Sequence, residues 1–439
     1  MKFPRMLVVR QDFPDRGLAN IAEAVTQELR ESRLISRLPF GSSLAIGVGS
    51  RGIANIAEIV RSIVQLSTAA GLKPFIFPAM GSHGAATADG QAAVLAKYGI
   101  TSGSIGCPIR SSLDVVHLGQ TEHDISVFMD KAAYEADGVM LVGRVKWHTD
   151  FSGQLESGLY KMMAIGLGKF AGAQQYHTYA YRLGLEAVIR SVGRRVLASG
   201  RVIGGLAILE DAHHHTAKVC ALPIETMEER EEELLRLVKS WMGRIPFDLD
   251  LLILDQIGKD ISGSGMDTKV VNRGVNGEYN PWPNSPNIGR IYIRDITPLS
   301  YGNGVGLGLA DVVSDRLLAK LDWSPIRINA LTASAPAAGR TPLHYPSDRD
   351  CIEAIAPTVG KLNSADVTLG WIRNTLELNI IGLSENLLSQ IRTNPTLTVI
   401  EEPRELCFDN YGDLPNFQSF YSVQGLQAFA KAVHRFADQ

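Results

Sequence analysis

At 439 residues the chain is long enough for two substantial domains, each with its own core. Apolar residues make up 45% and charged residues 20%, an ordinary globular balance, and a net charge of -3 supplies no basic field for a nucleic-acid partner. The amino terminus MKFPRMLVVRQDF lacks the apolar stretch of a signal peptide, and no apolar run approaches the ~18 residues of a membrane span. The expectation is a cytoplasmic protein with neither membrane nor nucleic acid as partner. Cys107, Cys220, Cys351 and Cys407 are widely separated without CxxC spacing, which argues against a zinc or iron–sulfur module and against a disulfide framework.

From residue 45, strand and helix patterns alternate. SLAIGVG is a short apolar strand ending in glycines. Ile53, Ile56, Ile59, Val60, Ile63 and Val64 then recur at helical spacing. KPFIFPAM is a second strand, and ATADGQAAVLAKYGI a helix stopped near Gly99. DGVMLVGRV reads as a buried strand. A long helical region over 161–198 follows, with Gly166 and Gly168 able to bend it. RVIGGLAILED is a further strand, and ETMEEREEELLRLVKSWM a charged amphipathic helix whose acidic run reads as a solvated face. A domain boundary falls near Gly243 to Pro246.

The pattern restarts with FDLDLLILD, a strand entering the Gly-rich loop QIGKDISGSGMDTK. GRIYIRDIT is another strand. ADVVSDRLLAKL reads as a helix after SYGNGVGLGL, and SVQGLQAFAKAVHRFADQ as a terminal helix. No internal repeat or low-complexity tract is present. The predicted fold class is α/β: two α/β domains with mostly parallel sheets and an active-site cleft between them. The boundaries are 1–243 and 244–420, with 421–439 as a terminal helix able to pack back on the first domain.

Several polar residues stand where a predicted strand gives way to a loop or helix. Arg51, in GVGSRGI, is either a phosphate or carboxylate clamp at a helix start or a surface residue on a tight turn. GVGSRG does not complete the GxGxxG dinucleotide pattern. His83, in AMGSHGA, and His148, in GRVKWHTDFSG, are candidates for proton transfer near neutral pH, and Asp150 either orients the His148 ring or caps a turn. Lys161 and His177 lie 16 residues apart, which in one straight helix is about 24 Å. Serving one ligand requires the chain to fold back near Gly166, Gly168 and Gly172. The run His213, His214, His215 would alternate across a strand and chelate poorly. His344 and His434 have no supporting context, whereas Lys259 and Lys269 each follow a strand and could hold a carboxylate. There is no GxSxG elbow, Walker A motif or HExxH.

Arg51, His83, His148, Lys161 and His177, in this order and spacing, resemble the nickel-dependent lactate racemase family, most strongly over residues 45–180. The resemblance implies an isomerase that racemises or epimerises a 2-hydroxy acid. It implies nickel and a pyridinium-3,5-bisthiocarboxylic acid mononucleotide, the nickel-pincer cofactor, with cofactor-synthesis enzymes as partners. By resemblance, Lys161 is the cofactor lysine, His177 the nickel ligand, His83 and His148 the catalytic histidines, and Arg51 the arginine beside cofactor and substrate. Lys269 is matched to the substrate lysine of the second domain, with Lys259 in reserve. Such chemistry needs a hydride acceptor, because the carbinol C–H is not acidic, and a base for the hydroxyl proton of each enantiomer, since the two present their hydroxyls differently; by the resemblance His83 and His148 are that pair.

Two features depart from the family. The loop HTDFSGQLESGLYK is longer and sets Glu156 and Tyr160 as bulk beside Lys161, and Arg51 lies outside the Asp-x-Thr-Arg-Pro type of turn. The implication is therefore the reaction class rather than lactate as substrate. The alternatives are a nicotinamide-dependent oxidoreductase, a non-catalytic binder of an anionic metabolite, and an epimerase of a longer sugar acid.

Overall fold

The computed structural model describes residues 1–49, 52–81 and 83–422. The chain forms two compact units, one of residues 14–242 and one joining residues 1–13 to the chain from Gly243 onward. Strand β1 (Met6–Gln11) therefore departs from the expected 1–243 domain. All but one of its residues are buried, Arg10 being the exception, and a strand enclosed in this way must sit inside a covered sheet. It pairs antiparallel on both sides with strands of the second unit.

In the 14–242 unit the strands are β2 (Ser43–Val48), β3 (Lys73–Pro78), β4 (Val115–Gln120), β5 (Ser126–Asp130), β6 (Gly138–Arg144), β7 (Val202–Glu210) and β8 (Thr216–Pro223). The main sheet has the order β3-β2-β6-β7-β8, parallel except for the antiparallel β7/β8 pair. β4 and β5 form a separate hairpin that the sequence pattern does not announce. Alternation divides the core. Leu44, Ile46 and Val48 pack with Val25, Leu29, Ile59 and Ile63 of the helices Ile21–Ser32 and Ile56–Ala69. Ala45, Val139 and Leu141 instead join Tyr160, Val188 and Val192 on the other face. Each such fully buried aliphatic side chain contributes about 1.5–3 kcal/mol.

The expected long helix over 161–198 is broken into Lys169–Leu183 and Leu185–Leu197, preceded by a helical turn at Leu159–Lys161 and one π-helical turn over Met162–Gly166. Gly184, at φ 82, separates the two long pieces.

The second unit contains β9 (Leu249–Ile257), β10 (Ile288–Ile296), β11 (Val312–Ser314), β12 (Leu343–Tyr345), β13 (Leu369–Ile372), β14 (Ile380–Ser384) and β15 (Leu397–Arg404). With β1 they form one sheet of order β12-β11-β10-β9-β13-β14-β1-β15, parallel from β12 to β13 and antiparallel beyond. The segment read as a helix over 310–321 holds β11 and only a short helix, Asp315–Leu318, because the buried pair Val312/Val313 belongs in the sheet. The predicted terminal helix lies outside the described residues from position 423 on. Among the described residues no helix is long and apolar enough to cross a membrane.

Candidate functional site

The site-bearing segments of the 14–242 unit leave the carboxyl ends of three adjacent parallel strands. β3, β2 and β6 end at Pro78, Val48 and Arg144, and the segments that follow carry His83, Arg51 and His148. The chain passes from β2 to β3 on one side and later returns to β6 on the other. That reversal makes β2/β6 a switch point, the place in an open α/β sheet beyond whose strand ends ligands usually bind. Arg51 itself lies outside the described residues. The segment just after it is anchored: Arg144 Nη1 donates to the Gly52 carbonyl at 3.0 Å and pairs with Glu210 at 2.5 Å, while the Ala54 N–H donates to Glu210 at 2.9 Å.

Glycines at these strand ends admit the turn that carries Lys161. A Cβ on Gly143, after β6 has nearly ended, would stand 2.2 Å from Met162 Sδ, and one on Gly49 would reach the same side chain at 3.9 Å. A Cβ on Gly81 would meet Ile165 Cγ2 at 2.8 Å and Ala173 Cβ at 3.6 Å, and Gly81 is at φ 60. Residues next to Lys161, and one turn before His177, thus touch the ends of β2, β3 and β6.

Lys169 sets the break between Lys161 and His177. It takes a left-handed φ of 53, is fully buried, pairs with Asp130 at 2.8 Å and donates to the Pro78 carbonyl at 2.6 Å. A non-glycine residue holds such a backbone only where its surroundings dictate it, and here a buried ion pair does so. The geometry therefore meets the requirement that 161 and 177 not share one straight helix. Burial, and then the Lys161 ammonium, push the half-buried His177 imidazole below its ordinary pKa, while Asp150 acts in the opposite direction. Lys161, His177 and Asp150 consequently share one electrostatic neighbourhood.

His148 is buried in a loop closed by reciprocal backbone hydrogen bonds between Lys146 and Ser157 at 3.0 and 3.1 Å. Its ring packs on Phe151 at 4.7 Å, and Nδ1 accepts the Asp150 backbone N–H at 3.0 Å. The Asp150 carboxylate takes the Thr149 hydroxyl at 2.8 Å, so Asp150 meets the ring through its main chain. Glu156 is buried inside the loop, accepts the His148 and Gly153 N–H groups at 2.5 and 3.0 Å, and pairs with Lys239 at 2.5 Å. Glu156 and Tyr160 are therefore inward supports and not bulk beside Lys161; the Tyr160 hydroxyl donates to Glu228 at 2.8 Å. No local sequence signal separates such a loop-closing glutamate from a solvated one.

His83 is held by its backbone. Its N–H donates to Met80 O at 3.2 Å, and buried Gln91 donates to the carbonyls of Gly81 and His83 at 2.9 and 3.3 Å. The helix Met227–Trp241 departs from its expected solvated acidic face. Glu231 is buried and accepts the Leu159 and Tyr160 N–H groups at 2.9 and 3.2 Å, which open the Lys161 turn. Glu228 and Glu232 pair with Arg190, each at 2.6 Å. Gly158 makes this approach possible, since a Cβ there would lie 2.2 Å from Glu231 Oε1.

The histidine run occupies the turn between β7 and β8 and not a strand, with His214 at φ 62. His215 Nδ1 lies 3.3 Å from Asp15 and 3.9 Å from Asp211. Asp211 meanwhile accepts the His213 and His215 N–H groups, each at 2.9 Å, as a turn-closing residue does.

In the second unit Lys269 is buried in the short helix Thr268–Val271, with its ammonium 5.1 Å from the Trp282 ring centre. Lys259 Nζ donates to Gly263 O at 2.6 Å, closing its own loop.

No family model and no curated protein matches the sequence. Among solved structures the chain is similar to the lactate racemase apoprotein from Thermoanaerobacterium thermosaccharolyticum. The TM-score is 0.51, at 14% identity over 85% of this chain and 99% of that one. The fold is shared with a lactate racemase. The likeness covers nearly all of that chain, and it is a likeness of fold.

Proposed function

We propose that the protein is a racemase or epimerase of a 2-hydroxy acid that works with nickel and the pyridinium-3,5-bisthiocarboxylic acid mononucleotide. The observation that carries this reading is the break at Lys169, which lets Lys161 act on His177 while the strand ends preceding His83 and His148 pack around the same turn. The donor set suits the group: a primary amine for a thioamide, and an imidazole with lowered proton affinity for a metal. Lys161 and His177 would hold it, with Arg51 beside it. When bound, it supplies an electrophile able to take hydride from a carbinol carbon.

The remaining work belongs to the chain. Arg51 would hold the substrate carboxylate, with a donor fork that keeps the acid bound while it is planar. His83 and His148 would serve the hydroxyl oxygen, where a proton must leave and return. Glu231 and Lys169 fix the turn that presents Lys161, and Glu156 fixes the backbone of His148. The loop departures around Lys161 and Arg51 leave the acid open among 2-hydroxy acids, with a longer sugar acid as the competing substrate.

The test is intact mass and metal content after co-expression with the cofactor-synthesis enzymes, followed by a screen of chiral 2-hydroxy acids for loss of optical activity. An adduct on Lys161 with stoichiometric nickel, lost in Lys161→Ala and His177→Ala respectively, is expected. Neither adduct nor nickel under those conditions refutes the reading and favours a binder of an anionic metabolite.

A further inference from the structure

We propose that the second unit carries a binding site of its own, at the carboxyl ends of β9, β10 and β13, for a small neutral polyhydroxyl compound such as a monosaccharide. From β9 the chain runs outward through β10, β11 and β12 and then returns to β13 on the other side of β9. β9/β13 is therefore the switch point of this sheet, where ligands of open α/β sheets usually bind. A cavity of about 220 Å³ lies there. Gln256 of β9, its register partner Asp295 of β10, and Arg373 just after β13 line it. The volume is below the ~300–1,000 Å³ of pockets for drug-sized ligands, so the occupant is a single sugar ring and not an oligosaccharide.

The floor of the cavity is fixed. Buried Arg294 spends all five of its N–H groups inside the protein, on Asp348, on Asp255 and on the Leu414 and Pro415 carbonyls. Asp348 also accepts from Arg316, whose other arm holds Asp413 at 2.7 Å. Stability alone does not call for such a network, since apolar residues of similar volume often serve as well or better. What it achieves is to hold Arg316 at the cavity wall with its Nε left over.

Charge decides the class of ligand. Arg294, Arg316, Arg373 and Lys320 are answered by Asp255, Asp295, Asp348, Asp413 and Glu377, four cations against five carboxylates in direct contact. An anion would meet an excess of negative charge, and a cation would meet guanidinium N–H groups. Hydrogen-bonding capacity remains in both senses. Arg373 uses Nη1 on Glu377 and keeps Nε and Nη2, and Asn416 caps Ser419 through Oδ1 and keeps Nδ2. Asp255 Oδ2 takes the Phe417 N–H at 2.5 Å and Asp295 Oδ2 takes Lys320 at 2.6 Å, so each retains a lone pair. Among the described residues the carboxamides of Gln256 and Gln418 meet no partner, and each both donates and accepts. A hydroxyl does the same, whereas an anion only accepts. Adjacent hydroxyls on a sugar ring match this lining.

The test is titration of the full-length protein with a panel of neutral monosaccharides, beside inorganic phosphate and acetate, read by calorimetry and saturation-transfer NMR. At least one sugar should bind with a Kd of about 1 mM or tighter. Its affinity should be unchanged by about 0.5 M sodium chloride, because a neutral ligand has no charge to screen. Arg373→Ala and Gln256→Ala should each weaken binding about tenfold. Both should keep the wild-type melting temperature, since Arg373 is exposed and Gln256 stands outside the buried network. His177→Ala should bind the sugar as wild type does, so this site and the 2-hydroxy-acid reading stand or fall separately. Binding of phosphate or acetate without any sugar, or affinity that rises as salt falls, overturns the neutral class. No binding by any of these probes, or sugar binding untouched by both substitutions, overturns the site.

Discussion

Glu231→Gln should flatten the pH dependence of stability between pH 5 and 7. Glu231 is 1% exposed and accepts the two N–H groups that begin the Lys161 turn. Burial pushes its carboxyl from the ordinary 4.5 up to about 7, against the pull of those two N–H groups. With the folded value raised, the folded chain retains a proton through a range in which the unfolded chain has lost it. Stability from this group is therefore complete below about 4.5, falls as pH rises, and levels off above about 7. The difference between 4.5 and 7, at about 1.4 kcal/mol per unit, amounts to about 3 kcal/mol across the window. Glutamine keeps the shape and one acceptor but cannot titrate. Urea denaturation of both proteins at half-unit steps from pH 5 to 8 should give a stability difference that changes with pH, the wild type losing up to about 1.4 kcal/mol per pH unit relative to the variant until it levels off above about 7. Parallel curves would refute the reasoning, because they would mean that Glu231 ionises in the fold as it does in the unfolded chain.

Lys169→Met strands the Asp130 carboxylate in the core and should lower stability by about 3–5 kcal/mol, with Lys169→Met/Asp130→Asn recovering part of the loss in a double-mutant cycle. Because the same break sets Lys161 against His177, nickel bound per chain should fall in the variant even at temperatures where it stays folded. In the second unit, fully buried Asp348 accepts from Arg294 Nε and Nη2 at 2.9 and 2.6 Å, from Leu414 N–H at 2.8 Å, and from Arg316 and the Tyr292 hydroxyl. Asp348→Asn should therefore lose about 3–5 kcal/mol in urea denaturation. Burial works to raise this carboxyl, but the two guanidiniums overcome it and hold it below its ordinary value. Its contribution is present at neutral pH and should fade as pH falls below the usual carboxylate range, a dependence that disappears in Asp348→Asn.

Much of the fold was legible because burial has a local signature. The apolar runs at SLAIGVG, KPFIFPAM and DGVMLVGRV became β2, β3 and β6, and the four-residue period after Ile53 became the helix Ile56–Ala69. What misled was any segment whose state depends on distant partners. DVVS enters the sheet between β10 and β12 although a helical pattern surrounds it. MLVV pairs with strands more than 370 positions away, so the first residues leave the domain that follows them.

For the proposed site, residue type and order along the chain single out Arg51, His83, His148, Lys161 and His177 as candidates, because cations and imidazoles after strand ends, where glycines leave room, are placed to meet a ligand. The support around them was not legible. Glu156, Lys169, Gln91 and Glu231 are ordinary polar residues in sequence, and the acidic helix reads as a solvated face. They became structural only when packing excluded water, because a buried charge or amide must find its partner inside the protein and so dictates where the backbone runs. The left-handed turn at Lys169 shows the same division: no local preference favours it, and only the Asp130 carboxylate and the Pro78 carbonyl, brought close by the fold, hold Lys161 and His177 in one neighbourhood.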